Sequence, residues 1–200
     1  MRPRHARCTR RGFVLGALAL GFASDSRAQR PEDDEINWAR LRRGGLVLLM
    51  RHGAAGPGLG DPAGYRLNDC STQRNLTEEG RGEARRVGAR LSREKVPVAR
   101  VYTSPWCRCR ETAKIAFGRA EDWEPLSSVF DYPQREAEFT ERVRKRIAGY
   151  ANRNPGGNVV MVTHNVNIAA LTRLSVATGE LVVVRPDGCC GLRTLERLKP

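Results

Sequence analysis

Histidine is scarce in this chain. Three occur in 200 residues, and one of them, His5, lies in the N-terminal segment. Lysine is scarce too: four of the 35 basic residues, the rest being arginine. No glycine-rich loop ends in lysine, which excludes the nucleotide-cradling loop built on that residue. No cysteines or histidines stand at zinc-ligand spacing, and Cys107-Arg108-Cys109 is too tight for half of a structural zinc site. Neither a metal nor another cofactor is therefore expected. The apolar run Phe13–Ala23 has 11 residues, well short of the about 20 that cross a bilayer. There is no internal repeat, no linker within 36–200 and no clustered aromatic–basic module, so the expectation is one domain with no nucleic-acid partner.

What is present begins with an export pattern. Arg2, Arg4, Arg7, Arg10 and Arg11 precede the apolar run, and Ser26-Arg27-Ala28 offers small residues before Gln29. That is the three-part layout of a secretory signal, and Thr9-Arg10-Arg11-Gly12-Phe13 resembles the twin-arginine export motif. The expected division is a twin-arginine-type signal peptide at 1–28, a disordered spacer at 29–35 and one domain at 36–200. The location expected is periplasmic or secreted, with no stable membrane insertion once the signal is cleaved. The net charge is +13, of which +8 remains without residues 1–28. An anionic substrate fits that balance, as does a solvated arginine-rich exterior. Five cysteines remain after the signal. In an oxidising compartment at least one disulfide is expected, Cys70 with Cys107 or Cys109, while Cys189–Cys190 would need a strained adjacent-residue geometry.

The domain reads as alternating strands and helices. Leu46 to Arg51 is continuously apolar until its last residue, as in a strand buried on both faces. Gly53 then allows a turn without a Cβ penalty. Residues 53–75 form a long Gly/Pro/Asp/Asn-rich loop, a length that points to function. Thr77 caps a helix with Glu78 and Glu79 in its first turn and Ala84, Val87 and Leu91 as its apolar stripe. Val96 to Thr103 is a second strand, and a helix follows Pro105, ending at Gly118. Residues 119–132 are irregular. From Pro133 another helix carries Phe139, Val143, Ile147 and Tyr150. Asn158 to Thr163 is a buried strand, and Asn165 can cap the next helix, Val166 to Leu174. Leu181–Arg185 and Gly191–Leu195 read as edge strands. The expected fold class is α/β: a three-layer α/β/α sandwich with a mostly parallel central sheet.

Both histidines of the domain, His52 and His164, immediately follow a buried strand, and His52 is preceded by Arg51. Open parallel sheets place ligands at the carboxyl ends of their strands. An unprotonated imidazole is a competent nucleophile towards phosphorus, and guanidinium forks suit phosphate oxygens. Arg51-His52-Gly53, Ser104-Pro105-x-x-Arg108 with Glu111-Thr112-Ala113, and Thr163-His164-Asn165 together resemble the histidine phosphatase superfamily, with its phosphoglycerate mutase-like fold. The resemblance spans about residues 45–185. Asn68-Asp69-Cys70 through Leu76, and Val162 through Ile168, are further similar to small exported one-domain members proposed to act on lipopolysaccharide core heptose phosphates.

The resemblance implies a metal-independent phosphomonoesterase working through a phosphohistidine on His52. Arg51, Arg108 and His164 would form the phosphate cradle, with Arg74 as a further phosphate-binding arginine. The partner would be a phosphorylated small molecule or glycan. A general acid is wanted at the leaving oxygen; Asp131, Glu124, Glu136 and Glu138 are in the region, and Asp131 is preferred. The competing readings are a protein phosphohistidine phosphatase, which needs less help at its leaving group, and a non-catalytic periplasmic module that binds anionic phosphate groups.

Overall fold

The computed structural model describes residues 36–151, 156–187 and 191–200. The expected signal and spacer, the Cys189–Cys190 pair and residues 154–155 of the Gly/Pro turn lie outside the described residues. Everything described below belongs to one compact unit, Asp34–Pro200. A short helix, α1 (Trp38–Arg43), leads into β1 (Val47–Arg51). The order continues α2 (Glu78–Arg93), β2 (Val98–Thr103), α3 (Cys107–Phe117), β3 (Glu121–Asp122), α4 (Glu136–Ala151), β4 (Asn158–Thr163), α5 (Asn165–Thr172), β5 (Leu181–Asp187) and β6 (Gly191–Leu198).

The six strands lie in the order β3-β2-β4-β1-β5-β6. The first four are mutually parallel; β5 runs antiparallel to β1, and β6 antiparallel to β5. Successive side chains of a strand point to opposite faces, and each face is covered. Leu48, Met50, Val160, Val162 and Val183 pack on one side with Leu41, Val87, Leu91 and Ala113 from α1, α2 and α3. Val47, Leu49, Val159, Met161 and Val182 pack on the other with Val143, Ile147, Ile168 and Leu171 from α4 and α5. This is the expected three-layer sandwich. Burial on both faces is why β1 and β4 read as unbroken apolar runs rather than alternating ones.

Several local expectations change. Residues 119–132 are not wholly irregular: Glu121–Asp122 add a parallel strand beside β2. Too short to show a period, it leaves no mark in the sequence. The strand Leu181–Arg185 is not at an edge. It lies between β1 and β6, and Leu181 to Val184 are fully covered. Asn165 is the first residue of α5 rather than its cap; His164 occupies the cap position with extended backbone and no capping bond. The Asn165 side chain instead accepts the Val176 amide at 2.8 Å. Thr77 does cap α2, through the Gly80 amide, and α3 does end at Gly118.

Gly53 also acts differently from the expectation. It is not among the glycines with positive φ. A Cβ on Gly53 would lie 2.4 Å from the Gly80 carbonyl oxygen, and one on Gly80 would lie 2.1 Å from that of Ala54. The paired glycines let the first turn of α2 close directly on the chain leaving β1.

Candidate active site

The site follows from strand register. Neighbouring β1 and β4 pair Arg51 with Thr163, so the next residue of each strand, His52 and His164, emerges at the same edge of the sheet. Their ring centroids are 5.3 Å apart and the rings meet edge to face. The His52 amide donates to the Thr163 carbonyl at 3.0 Å, continuing the ladder one step past the strands.

His52 is 9% exposed. Its Nδ1 lies 2.8 Å from the Gly53 carbonyl oxygen. A carbonyl can only accept, so Nδ1 carries the ring proton and Nε2 keeps its lone pair. Burial pushes the His52 pKa down to about 3, aided by the Arg108 charge and by Arg51 and Arg74, while the bond to Gly53 opposes the shift. His52 is therefore neutral near pH 7, with one nucleophilic nitrogen available. The carbonyl that sets this tautomer is itself fixed. The Gly53 amide donates to Thr112 Oγ1, and the adjacent Ala54 amide donates to Glu83 Oε2 at 2.7 Å.

His164 is buried as well. Its Nε2 is held 2.9 Å from Ser104 Oγ, with Cys109 Sγ at 3.6 Å, and Trp106 packs edge-on against the ring. Burial, then the His52, Arg108 and Arg51 side chains, holds the His164 pKa well below its ordinary value. One nitrogen is thus pinned by Ser104.

The arginines are each anchored by a different partner. Arg51 donates through Nη1 to the Val176 carbonyl, and its Nε is buried without a hydrogen-bond partner among the described residues. Arg108, on the first turn of α3, gives Nη1 to both carboxylate oxygens of Asp61, at 3.0 and 2.8 Å. Arg74 donates to the Gly56 carbonyl through Nε and Nη2 and to the Gly60 carbonyl through Nη1. It organises the 53–75 loop with its guanidinium while its charge still acts on His52.

The residues missed in the sequence are those that hold the others. Asp61 has a fully buried side chain and accepts from Arg108, from Trp106 Nε1 and from the Arg74 amide. Burial alone would raise its pKa, but these hydrogen bonds prevail and hold the carboxyl below its usual range. Glu83 joins the Ala54 amide to the Thr178 hydroxyl. The loop's composition announced a functional segment, but not which of its carboxylates turns inward. The Cys70–Cys107 disulfide ties the same loop to the start of α3. Of the two expected partners it uses Cys107, because Cys109 faces the core and His164.

The four acid candidates separate. Glu124 and Glu138 are committed to exposed ion pairs with Arg135 and Arg142. Glu136 opens α4. Asp131 alone turns inward: Oδ2 is buried without a partner among the described residues, and Oδ1 lies 3.8 Å from where a Gly60 Cβ would be. No hydrogen bond or ion pair among the described residues joins it to His52. The segment leading to it is stitched down by Asn167, which accepts the Val129 amide and donates to the Ser127 carbonyl. No group of three or more His, Cys, Asp or Glu side chains among the described residues is placed to hold a metal ion.

Two parallel strands thus deliver paired imidazoles with guanidiniums gathered round them, an arrangement chemically suited to holding a phosphate group. The model of the histidine phosphatase superfamily (branch 1) matches residues 47–129. The solved structures agree on the fold. The protein histidine phosphatase SixA complexed with tungstate is 21% identical, with a TM-score of 0.54 over 77% of this chain and 96% of its own. The product of the open reading frame Rv3214 from Mycobacterium tuberculosis is 17% identical, with a TM-score of 0.53 over 76% and 95%. A phosphoserine phosphatase of Entamoeba histolytica in complex with 3-phosphoglyceric acid is 12% identical, with a TM-score of 0.56 over 78% and 97%. No curated protein matches the sequence.

Proposed function

We propose that this protein is an exported, metal-independent phosphomonoesterase that works through a phosphohistidine on His52. The observation that carries this reading is the His52 Nδ1–H bond to the Gly53 carbonyl, which leaves a neutral Nε2 as nucleophile among positive charges. In the first step the Nε2 lone pair forms a bond to phosphorus as the phosphorus–oxygen ester bond breaks. Arg51 and Arg108 neutralise the non-bridging oxygens, Arg74 adds charge behind them, and His164 donates a hydrogen bond to the transferring group. The leaving alkoxide takes a proton from the Asp131 carboxyl. Water then attacks the phosphohistidine while the Asp131 carboxylate takes its proton; the nitrogen–phosphorus bond breaks, giving inorganic phosphate and restoring His52 and Asp131. The substrate is a phosphorylated small molecule or glycan. Export through the residue 1–28 signal puts the reaction in the periplasm or outside the cell, and the Cys70–Cys107 disulfide suits that oxidising setting.

The test is turnover of p-nitrophenyl phosphate by the purified mature domain and by His52→Ala. The expected result is turnover by the parent and its loss in the variant; no turnover, or equal turnover in both, overturns the reading. For the acid, Asp131→Asn is expected to slow alkyl phosphates about 100-fold and p-nitrophenyl phosphate far less, because nitrophenolate leaves without a proton. Equal slowing of the two would remove Asp131 from that role.

A further inference from the structure

Two large apolar side chains are exposed among the described residues: Leu59 at 91% and Phe130 at 54%. A single exposed leucine is ordinary on any surface. These two, however, belong to the two segments that border the candidate site, and the segments meet at one glycine. Gly60, directly after Leu59, sits against the Phe130 ring: a Cβ there would be 3.0 Å from the ring edge, and its φ is +67°. The Gly60 carbonyl receives Arg74, and the next residue, Asp61, holds Arg108. On the other segment Asp131 directly follows Phe130 and turns its carboxylate to the same glycine. The apolar rim is thus only a residue or two removed, on both sides, from groups assigned to the phosphate and to the leaving oxygen.

Beneath the rim the packing stays aromatic. Tyr132 packs edge-on against Trp106, with ring centroids 6.2 Å apart, and Trp106 packs in turn against His164 at 5.4 Å. The hydroxyls of a sugar would find no hydrogen-bond partner on Leu59 or Phe130. A hydrocarbon would cover both side chains.

Granting the phosphatase reading above, we infer that the site takes phosphate monoesters whose organic group is a hydrocarbon chain, with Leu59 and Phe130 as its specificity-determining residues. The phosphate sits in the arginine cradle, and the chain leaves across the Gly60 saddle over the Phe130 ring. Each methylene laid on this half-open rim is worth about twofold in kcat/KM, less than the roughly fourfold of full burial.

The experiment is a kcat/KM series with methyl, butyl, hexyl and octyl phosphate, each below its micelle concentration, beside glucose 6-phosphate. The expected result is a rise of about 100-fold from methyl to octyl, given that per-methylene gain, carried mainly by KM. The Leu59→Ser/Phe130→Ser double variant, checked for its melting temperature, is expected to flatten the octyl-to-methyl ratio about tenfold. A parallel arm with dioleoyl phosphatidate in vesicles separates the sources: a rate exceeding that for monomeric octyl phosphate assigns the chain to a membrane lipid, and the reverse to a free amphiphile. A flat alkyl series, a slope unchanged in the double variant, or glucose 6-phosphate outrunning octyl phosphate overturns the inference. If p-nitrophenyl phosphate turnover still depends on His52 while the alkyl series is flat, only the chain preference fails. If it does not depend on His52, the reading of the site itself fails.

Discussion

His52 shows how much a single residue's chemistry depends on its immediate holders. The imidazole is an ordinary base in water, yet burial and three guanidiniums keep it unprotonated, and one carbonyl chooses which nitrogen keeps its lone pair. The same logic applies to Arg108, whose orientation rests on Asp61. Their side chains are 5% and 0% exposed, and removing one partner of a buried pair strands the other charge. Asp61→Ala is expected to lower stability by about 3 kcal/mol and to cut kcat/KM for p-nitrophenyl phosphate. Urea denaturation and steady-state kinetics check this together. A stability loss below about 1 kcal/mol would mean that Arg108 has an alternative anchor.

At the scale of elements, the site is a junction rather than a surface of one helix or strand. β1 and β4 bring the histidines, α3 brings Arg108, and the 53–75 loop brings Arg74 and Asp61. The loop is secured by Arg74 on its carbonyls, by Asp61 on Arg108 and Trp106, and by the Cys70–Cys107 bond. That bond spans a sequence separation of 37, for which chain entropy gives a stabilisation of about 4 kcal/mol. The Cys70→Ser/Cys107→Ser variant is expected to lose most of that in denaturant titrations. Its KM should also rise, since Arg108 is the next residue after Cys107. Cys109 is no substitute partner: it is buried, and its thiol is pushed up to about 12 by that burial. Unchanged stability and KM in the double serine variant would show that the loop is held by its hydrogen bonds alone.

For the whole molecule, the two buried histidines make stability depend on pH. Both have pKa values below the unfolded value near 6.5. The unfolded chain takes up these protons as pH falls below 6.5, and the folded chain does not until far lower. Stability from these groups is therefore complete above about pH 6.5 and falls steadily towards about pH 3. Between about pH 7 and pH 5 the loss is expected to be about 2–4 kcal/mol. The urea midpoint at the two values measures it, and His164→Asn should remove about half of the dependence. A midpoint that holds steady down to about pH 5 would mean that the folded protein protonates both rings.

Much of this architecture was legible in the chain itself. Unbroken apolar runs ending in Arg51-His52 and Thr163-His164 require strands buried on both faces, and turn and cap residues at Thr77 and Gly118 bound the helices between them. Those patterns are local, because they arise from a side chain's periodicity relative to its own backbone. The pairings are not local. That β4 lies beside β1 in a register that sets two imidazoles together, and that β5 is interior, depends on which strands adjoin. The same holds for Asp61 turning in to Arg108 and Glu83 to Ala54, and for Phe130 lying against Gly60. One carboxylate among many, or one phenylalanine in a loop, carries no mark of its partner along the chain. The strands and the candidate nucleophile thus follow from local pattern. What holds that nucleophile neutral follows from packing, because burial and through-space charge exist only once distant segments have closed around it.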